Sequence, residues 1–138
     1  MNYDCITTTY TPMTTTYTVK VSDNGDKEWF LKGKLHRIDG PAIEDADGSK
    51  RWFLDGKLHR VDGPAIEDAD GSKEWYQYGK RHRVDGPAIE WFDGSKYWCL
   101  DGNKLTQAQW LEAVNPKVTS CVGKLVEVDG VKYKLVAA

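Results

Sequence analysis

The chain is poor in cysteine and has no long apolar run. Its 138 residues include only Cys5, Cys99 and Cys121, an odd number without CxxC spacing. Neither a disulfide framework nor a zinc site is expected, and a reducing, intracellular setting fits. No stretch approaches the ~18 apolar residues of a membrane span. The opening MNYDCITTTY lacks the basic start and apolar core of a secretory signal. Neither sign of charge dominates: a net charge of −2 with both signs mixed gives no basic footprint for nucleic acid. GxSxG, HExxH and P-loop motifs are also absent.

What is present is a repeat. GSKRWFLDGKLHRVDGPAIEDA at 48–69 recurs upstream as GDKEWFLKGKLHRIDGPAIEDA and downstream as GSKEWYQYGKRHRVDGPAIEWF. Trp29, Trp52, Trp75 and Trp98 follow one another at intervals of 23 residues. A fixed period of this length marks an array in which each unit packs mainly on its neighbours. The chain divides accordingly into a threonine-rich arm or edge strand (1–22), hairpin repeats (23–105), and a helix plus terminal hairpin (106–138).

In chain order, the arm contains TTTYTPMTTTYT at 7–18. Threonine and tyrosine favour strands, and Pro12 divides the run in two. It reads as an edge strand or partly ordered arm, with a contact arm for a partner as the alternative. Each repeat then reads as a hairpin. Lys50–Leu54 is the first strand, Asp55-Gly56 the turn, Leu58–Gly63 an irregular return and Pro64–Glu67 the start of the second strand. Two strands per unit place equivalent residues roughly 10 Å apart. The expected fold is mainly β: a single-layer, twisted antiparallel meander with the four tryptophans in one row.

After Leu105 the period changes. Thr106 and Gln109 match a capping box, Leu105 and Trp110 a hydrophobic staple, and Asn115-Pro116 a stop. A helix over about 106–114 should cover the last sheet edge. A final hairpin turns at Asp129-Gly130, with Val128 facing Val131, Val126 facing Tyr133, and Glu127 opposite Lys132 as an ion pair. This module is expected to pack on the array's end.

The unit W-x-x-x-G-K-x-H-R-x-D-G-P-A resembles the MORN family of repeats. More specifically, it resembles repeat proteins of tailed bacteriophages, whose HRxDGPA units end in a copy like LDGNKLTQAQW. The matching residues run from about 24 to 114. The resemblance implies a hairpin-repeat sheet and a viral origin, and no known activity. Where ordinary MORN repeats carry a glycine-rich H-G-x-G return, this chain has H-R-x-D-G-P, so their lipid or scaffold roles do not carry over.

The candidate chemistry lies in His36, Arg37 and Asp39, with copies His59, Arg60, Asp62 and His82, Arg83, Asp85. Histidine beside a carboxylate is a general base or metal ligand in many sites. A catalytic centre needs one good copy, whereas a structural device is needed in every unit, and retention alongside Gly-Pro favours structure. Three histidines about 10 Å apart are too distant to share an ion. Cys99 stands in the register of Phe30, Phe53 and Tyr76, which points to a small apolar core role.

Positions that differ between copies are the candidate surface. Tyr78 and Arg81 replace Lys or Asp and then Leu, and Trp91-Phe92 replaces Asp-Ala. With Trp75, Tyr76, Tyr97 and Trp98 these form an aromatic-dense region. Trp91 and Phe92 read as packing against the helix and tail, Tyr78 and Arg81 as surface contacts. The resulting reading is a non-catalytic, phage-type repeat protein. It binds a protein partner and inhibits a host enzyme or defence complex, of the anti-CRISPR or other anti-defence kind. The expected setting is cytoplasmic, in the host cell if viral. No cofactor, metal, membrane or direct nucleic-acid contact is expected, and a homo-oligomer is open. The alternatives are a small-molecule or glycan module using the aromatic cluster, and a hydrolase using one His-Arg-Asp set.

Overall fold

The hairpin tips close with a left-handed backbone at two successive residues. Lys32, Asp55, Tyr78 and Asp101 have φ of 49–50°, and each precedes a glycine at φ 77–86°. Positive φ at both central positions is the type I′ geometry that matches the twist of paired strands. A second kind of turn joins successive units. The Asp45 amide donates to Ser49 O at 2.9 Å and the Gly48 amide to Asp45 O at 3.0 Å, with Gly48 at φ 96°. That is a three-residue loop ending in a bulge, for which glycine is the residue of choice.

The computed structural model describes residues 16–115, 125–128 and 131–134. Strand β1 (Thr18–Val21) leads into the first unit, β2 (Lys27–Leu31), β3 (Lys34–Leu35) and β4 (Ile43–Glu44). The second unit supplies β5 (Lys50–Arg51), β6 (Phe53–Leu54), β7 (Lys57–Leu58) and β8 (Ile66–Glu67). The third supplies β9 (Lys73–Glu74), β10 (Tyr76–Gln77), β11 (Lys80–Arg81) and β12 (Ile89–Glu90), and the fourth β13 (Lys96–Leu100) and β14 (Asn103–Leu105). The main sheet runs β1-β2-β4-β5-β8-β9-β12-β13-β14, and its pairings are antiparallel. The protein is thus mainly β, a meander of repeated hairpins with no closed barrel among the described residues, as the repeat predicts. No described helix is long and apolar enough to cross a membrane.

One detail differs from the sequence reading. The run expected as a single strand, Lys50–Leu54, is broken at Trp52, and its third-unit copy at Trp75. The first half pairs with the main sheet, while the second half pairs with β7 or β11 in a separate tip hairpin. The return expected to be irregular therefore begins with a two-residue strand. Tryptophan is where the backbone changes partners. The Trp52 amide donates to Ala65 O at 2.8 Å, and Trp52 O accepts from the His59 amide at 3.0 Å. The same pair of bonds recurs at Trp29 and Trp75.

Burial is concentrated in small residues. Ala42, Ala65 and Ala88 are 0% exposed, and Ser72 is the largest side chain fully enclosed. Each alanine carbonyl bonds its own unit's tryptophan. The Ala42 and Ala65 amides bond the next unit, at Arg51 O and Glu74 O, both at 2.8 Å. Strands meeting this closely leave room for a methyl group and little more.

The helix after Leu105 forms as expected. Helix α1 (Gln107–Val114) starts at a complete capping box: the Thr106 hydroxyl accepts from the Gln109 amide and the Gln109 side chain accepts from the Thr106 amide. The helix packs on β13 and β14 and buries Trp110. Beyond it, β15 (Leu125–Val128) and β16 (Val131–Lys134) pair with Val126 opposite Tyr133, Glu127 opposite Lys132, and Val128 opposite Val131. The Asp129-Gly130 turn, Cys5, Cys121 and Thr7–Thr15 lie outside the described residues. Of the arm, Thr18–Val21 is a solvent-exposed edge strand.

Because the alanine column has no slack, Ala65→Leu should lower stability by about 1–3 kcal/mol through overpacking. Val61→Ala, at a site 77% exposed, should change it by less than about 0.5 kcal/mol. Urea denaturation followed by far-ultraviolet circular dichroism distinguishes the two.

Candidate functional site

The HRxDGPAxE segment is a clamp built on its arginine. In the second unit Arg60 Nε donates to Asp62 Oδ1 at 2.9 Å, while Nη1 donates to Pro64 O at 3.1 Å and Glu67 Oε1 at 2.9 Å. The guanidinium carbon lies 4.0 Å from the centre of the Trp52 ring. Arg37 repeats this with Asp39, Pro41, Glu44 and Trp29, and Arg83 with Asp85, Pro87, Glu90 and Trp75. A fixed planar fork of donors above an aromatic face is a geometry lysine cannot supply. Hydrogen bonding to Arg60 and Arg83 holds the Asp62 and Asp85 carboxyls below their usual range. The glycine of the motif is explained by the same clamp. A Cβ on Gly63 would stand 2.9 Å from the Arg60 guanidinium carbon, and the copies at Gly40 and Gly86 are equally tight.

The histidines join successive units. His36 Nδ1 accepts from the Asp55 amide at 3.1 Å, His59 from Tyr78 and His82 from Asp101, all at the same distance. In two of the three, the Asp carboxylate also approaches Nδ1, at 2.9 Å for His36–Asp55 and 3.0 Å for His82–Asp101. A neutral imidazole takes the amide on its Nδ1 lone pair, whereas a protonated Nδ1 takes the carboxylate. The amide contact occurs in every copy and the carboxylate does not, so the amide bond is the scaffold interaction. His36 is buried, whereas His59 and His82 are half-buried. Among the described residues no three His, Cys, Asp or Glu side chains converge as a metal site.

The aromatic region divides into separate places. Tyr78 is 66% exposed at the third tip, with its ring 4.2 Å from that of His59. Trp75 lies under Arg83. Trp91 forms part of a cleft of about 310 Å3 with Arg81, Ile89, Tyr97, Cys99 and Lys104. Lys104 Nζ stands 3.8 Å from the centre of the Tyr97 ring. Burial pushes the Cys99 thiol up, in keeping with a core role.

One expectation is corrected. Trp91 and Phe92 do not pack away under the helix; they are 36% and 72% exposed at an inter-unit turn, and the helix buries its own Trp110 instead. Arg81 is exposed, as the surface reading has it, and is also tied down: its Nε donates to Glu74 Oε2 at 2.9 Å, where the Tyr76 hydroxyl also donates at 3.0 Å. Glu74 is buried, so Arg81 neutralises a charge that would otherwise lack compensation. Burial opposes the Arg81 charge, but the bond and the field of Glu74 outweigh it and raise its pKa. The Tyr76 hydroxyl is raised by burial and then by Glu74. Glu44, Glu67, Glu90 and Glu74 were missed in the sequence. The first three stand a constant seven residues after the arginine, a signal visible in the repeat itself.

Arg60→Lys and Gly63→Ala should each destabilise the protein by about 1–3 kcal/mol, the first by losing charged hydrogen bonds and stacking. Together they should cost less than their sum by at least about 0.5 kcal/mol, since lysine vacates the space the new methyl needs. A double-mutant cycle in urea measures this coupling.

Comparison with protein-family models, with curated proteins and with solved structures finds no significant match to this chain.

Proposed function

We propose that the chain is a non-catalytic repeat protein that binds a protein partner through the aromatic surface of its third unit. The observation that carries this is a substitution pattern on a constant scaffold. Registers occupied by Asp55, Asp68 and Ala69 in the second unit hold Tyr78, Trp91 and Phe92 in the third, and all three rings are solvent-exposed. Exposed aromatic residues of this kind are typical binding hot spots.

A non-catalytic role is supported by the repeated bonding of the histidines and arginines. Each Nδ1 faces a backbone amide and each arginine is matched by two carboxylates. The likeness to tailed-bacteriophage repeats directs the reading towards inhibition of a host enzyme or defence complex, the anti-CRISPR type included. A second reading rests on the 310 Å3 cleft, where Arg81 and Lys104 accompany Trp91 and Tyr97. Two cations beside two rings suit a planar, anionic small molecule.

The test uses residues the scaffold already accepts. Tyr78→Asp, Trp91→Asp and Phe92→Ala together restore the second unit's own residues and should leave thermal stability intact. With a partner purified from host lysate by affinity, calorimetry should show the triple variant binding weaker by at least about 2 kcal/mol. Equal binding by wild type and variant would sink the assignment of this surface.

A further inference from the structure

Neighbouring HRxDGP loops leave a cleft between them. The first, about 580 Å3, has residues 37–41 as one wall, Trp52, Phe53 and Leu54 as its floor, and 59–62 as the other wall. The second, about 530 Å3, is the same construction moved on by one repeat, with Trp75 and Gln77 in the floor. Ile38, Val61 and Val84 line the clefts and are 77%, 77% and 59% exposed. Retention of β-branched apolar side chains at so exposed a register is not explained by packing within the array.

Moving on by one more repeat gives a wall at 83–87 and a floor at 98–100, but helix α1 stands where the next loop would be. There the chain supplies its own occupant. Trp110 is 7% exposed, and its indole Nε1–H donates to Arg83 O at 2.8 Å. The helix that carries it packs on β13, the strand containing the 98–100 floor. The corresponding carbonyls of Arg37 and Arg60 have no such donor among the described residues.

We propose that the two open clefts receive tryptophan side chains of a protein partner, each indole repeating what Trp110 does at the third. An indole offers a flat apolar body for the Pro, Val and Trp surfaces and one donor for the arginine carbonyl. An anionic ligand would gain little, because each clamp arginine is already paired with two carboxylates. Spacing selects the form of the partner. Equivalent strands such as β5 and β9 are separated by two strand spacings, about 10 Å. Residues seven apart on one face of a helix are separated by about 10.5 Å. A partner helix with tryptophans at i and i+7 therefore spans both clefts. The protein source of the indole rests on the protein-binding reading above, while the clefts share none of its three exposed aromatic residues.

The probe is N-acetyl-tryptophanamide, titrated into isotopically labelled protein and followed by amide NMR shifts. Saturable shifts are expected at 37–41, 59–64 and 82–86, and none from N-acetyl-alaninamide. Val61→Glu places a charge in the walls of both clefts at an exposed position, so it should keep its melting midpoint yet lose these shifts. A helical peptide with tryptophans at i and i+7 should bind at least ten-fold tighter than one with a single tryptophan. Absence of shifts in those loops, or shifts unchanged by Val61→Glu, would overturn the clefts as indole sites. Equal binding of the two peptides would overturn the two-cleft partner. The triple variant at Tyr78, Trp91 and Phe92 should retain the probe shifts, which separates this test from that of the third-unit surface.

Discussion

An arginine laid on a tryptophan, held by two carboxylates and a proline carbonyl, is the interaction on which the rest of this structure depends. The units bury too little apolar volume to be held by a conventional core: among the described residues the fully enclosed side chains are alanines and serine. The clamp compensates by tying four residues of one unit to its arginine. Trp comes from the first strand, Asp and Pro from the loop, and Glu from the closing strand. Each bond is charge-assisted or lies against an aromatic face, where such contacts are strongest. The loop is thereby a fixed object, which is what allows clefts of constant shape between successive copies.

Coupling between units runs through different atoms. The Arg60 amide bonds Tyr76 O, the Gly79 amide bonds Leu58 O, and the Tyr78 amide bonds His59 Nδ1. At the turns that join successive units, Ser49 Oγ accepts from the Ala69 amide and Ser72 Oγ from the Phe92 amide, both at 3.0 Å. In the first unit Asp26 does this for Ala46. Each junction therefore pins both turns of a unit to its predecessor. Stability in such a system is the sum of unit and nearest-neighbour contributions.

Much of this was legible because it is local. The period, the Asp-Gly turns, the Thr106 capping box and the register of the last hairpin follow from residues close in sequence. What was not legible depended on contacts across the unit. The change of partner at Trp52 needs knowledge of where Ala65 and His59 return. The pairing of Arg81 with Glu74 joins residues in β11 and β9, and nothing in either segment announces it. Trp91 and Phe92 misled in the opposite direction: apolar identity suggested burial, yet their turn register is held by small or charged residues in the other copies and faces solvent.

The near-identity of the junctions has a genetic corollary. A stretch of coding sequence repeated in frame is prone to unequal exchange, and a gain or loss of one 23-residue period recreates the same junction bonds at the splice. Such an event upstream leaves the end of the array as it is, since the terminal helix meets β13 and β14 of the fourth unit and Arg83 of the third. Array length is thus a heritable variable decoupled from foldability. One mutational step can alter the number of exposed loops and turns, while point changes, such as those that set the third unit apart, alter each of them afterwards.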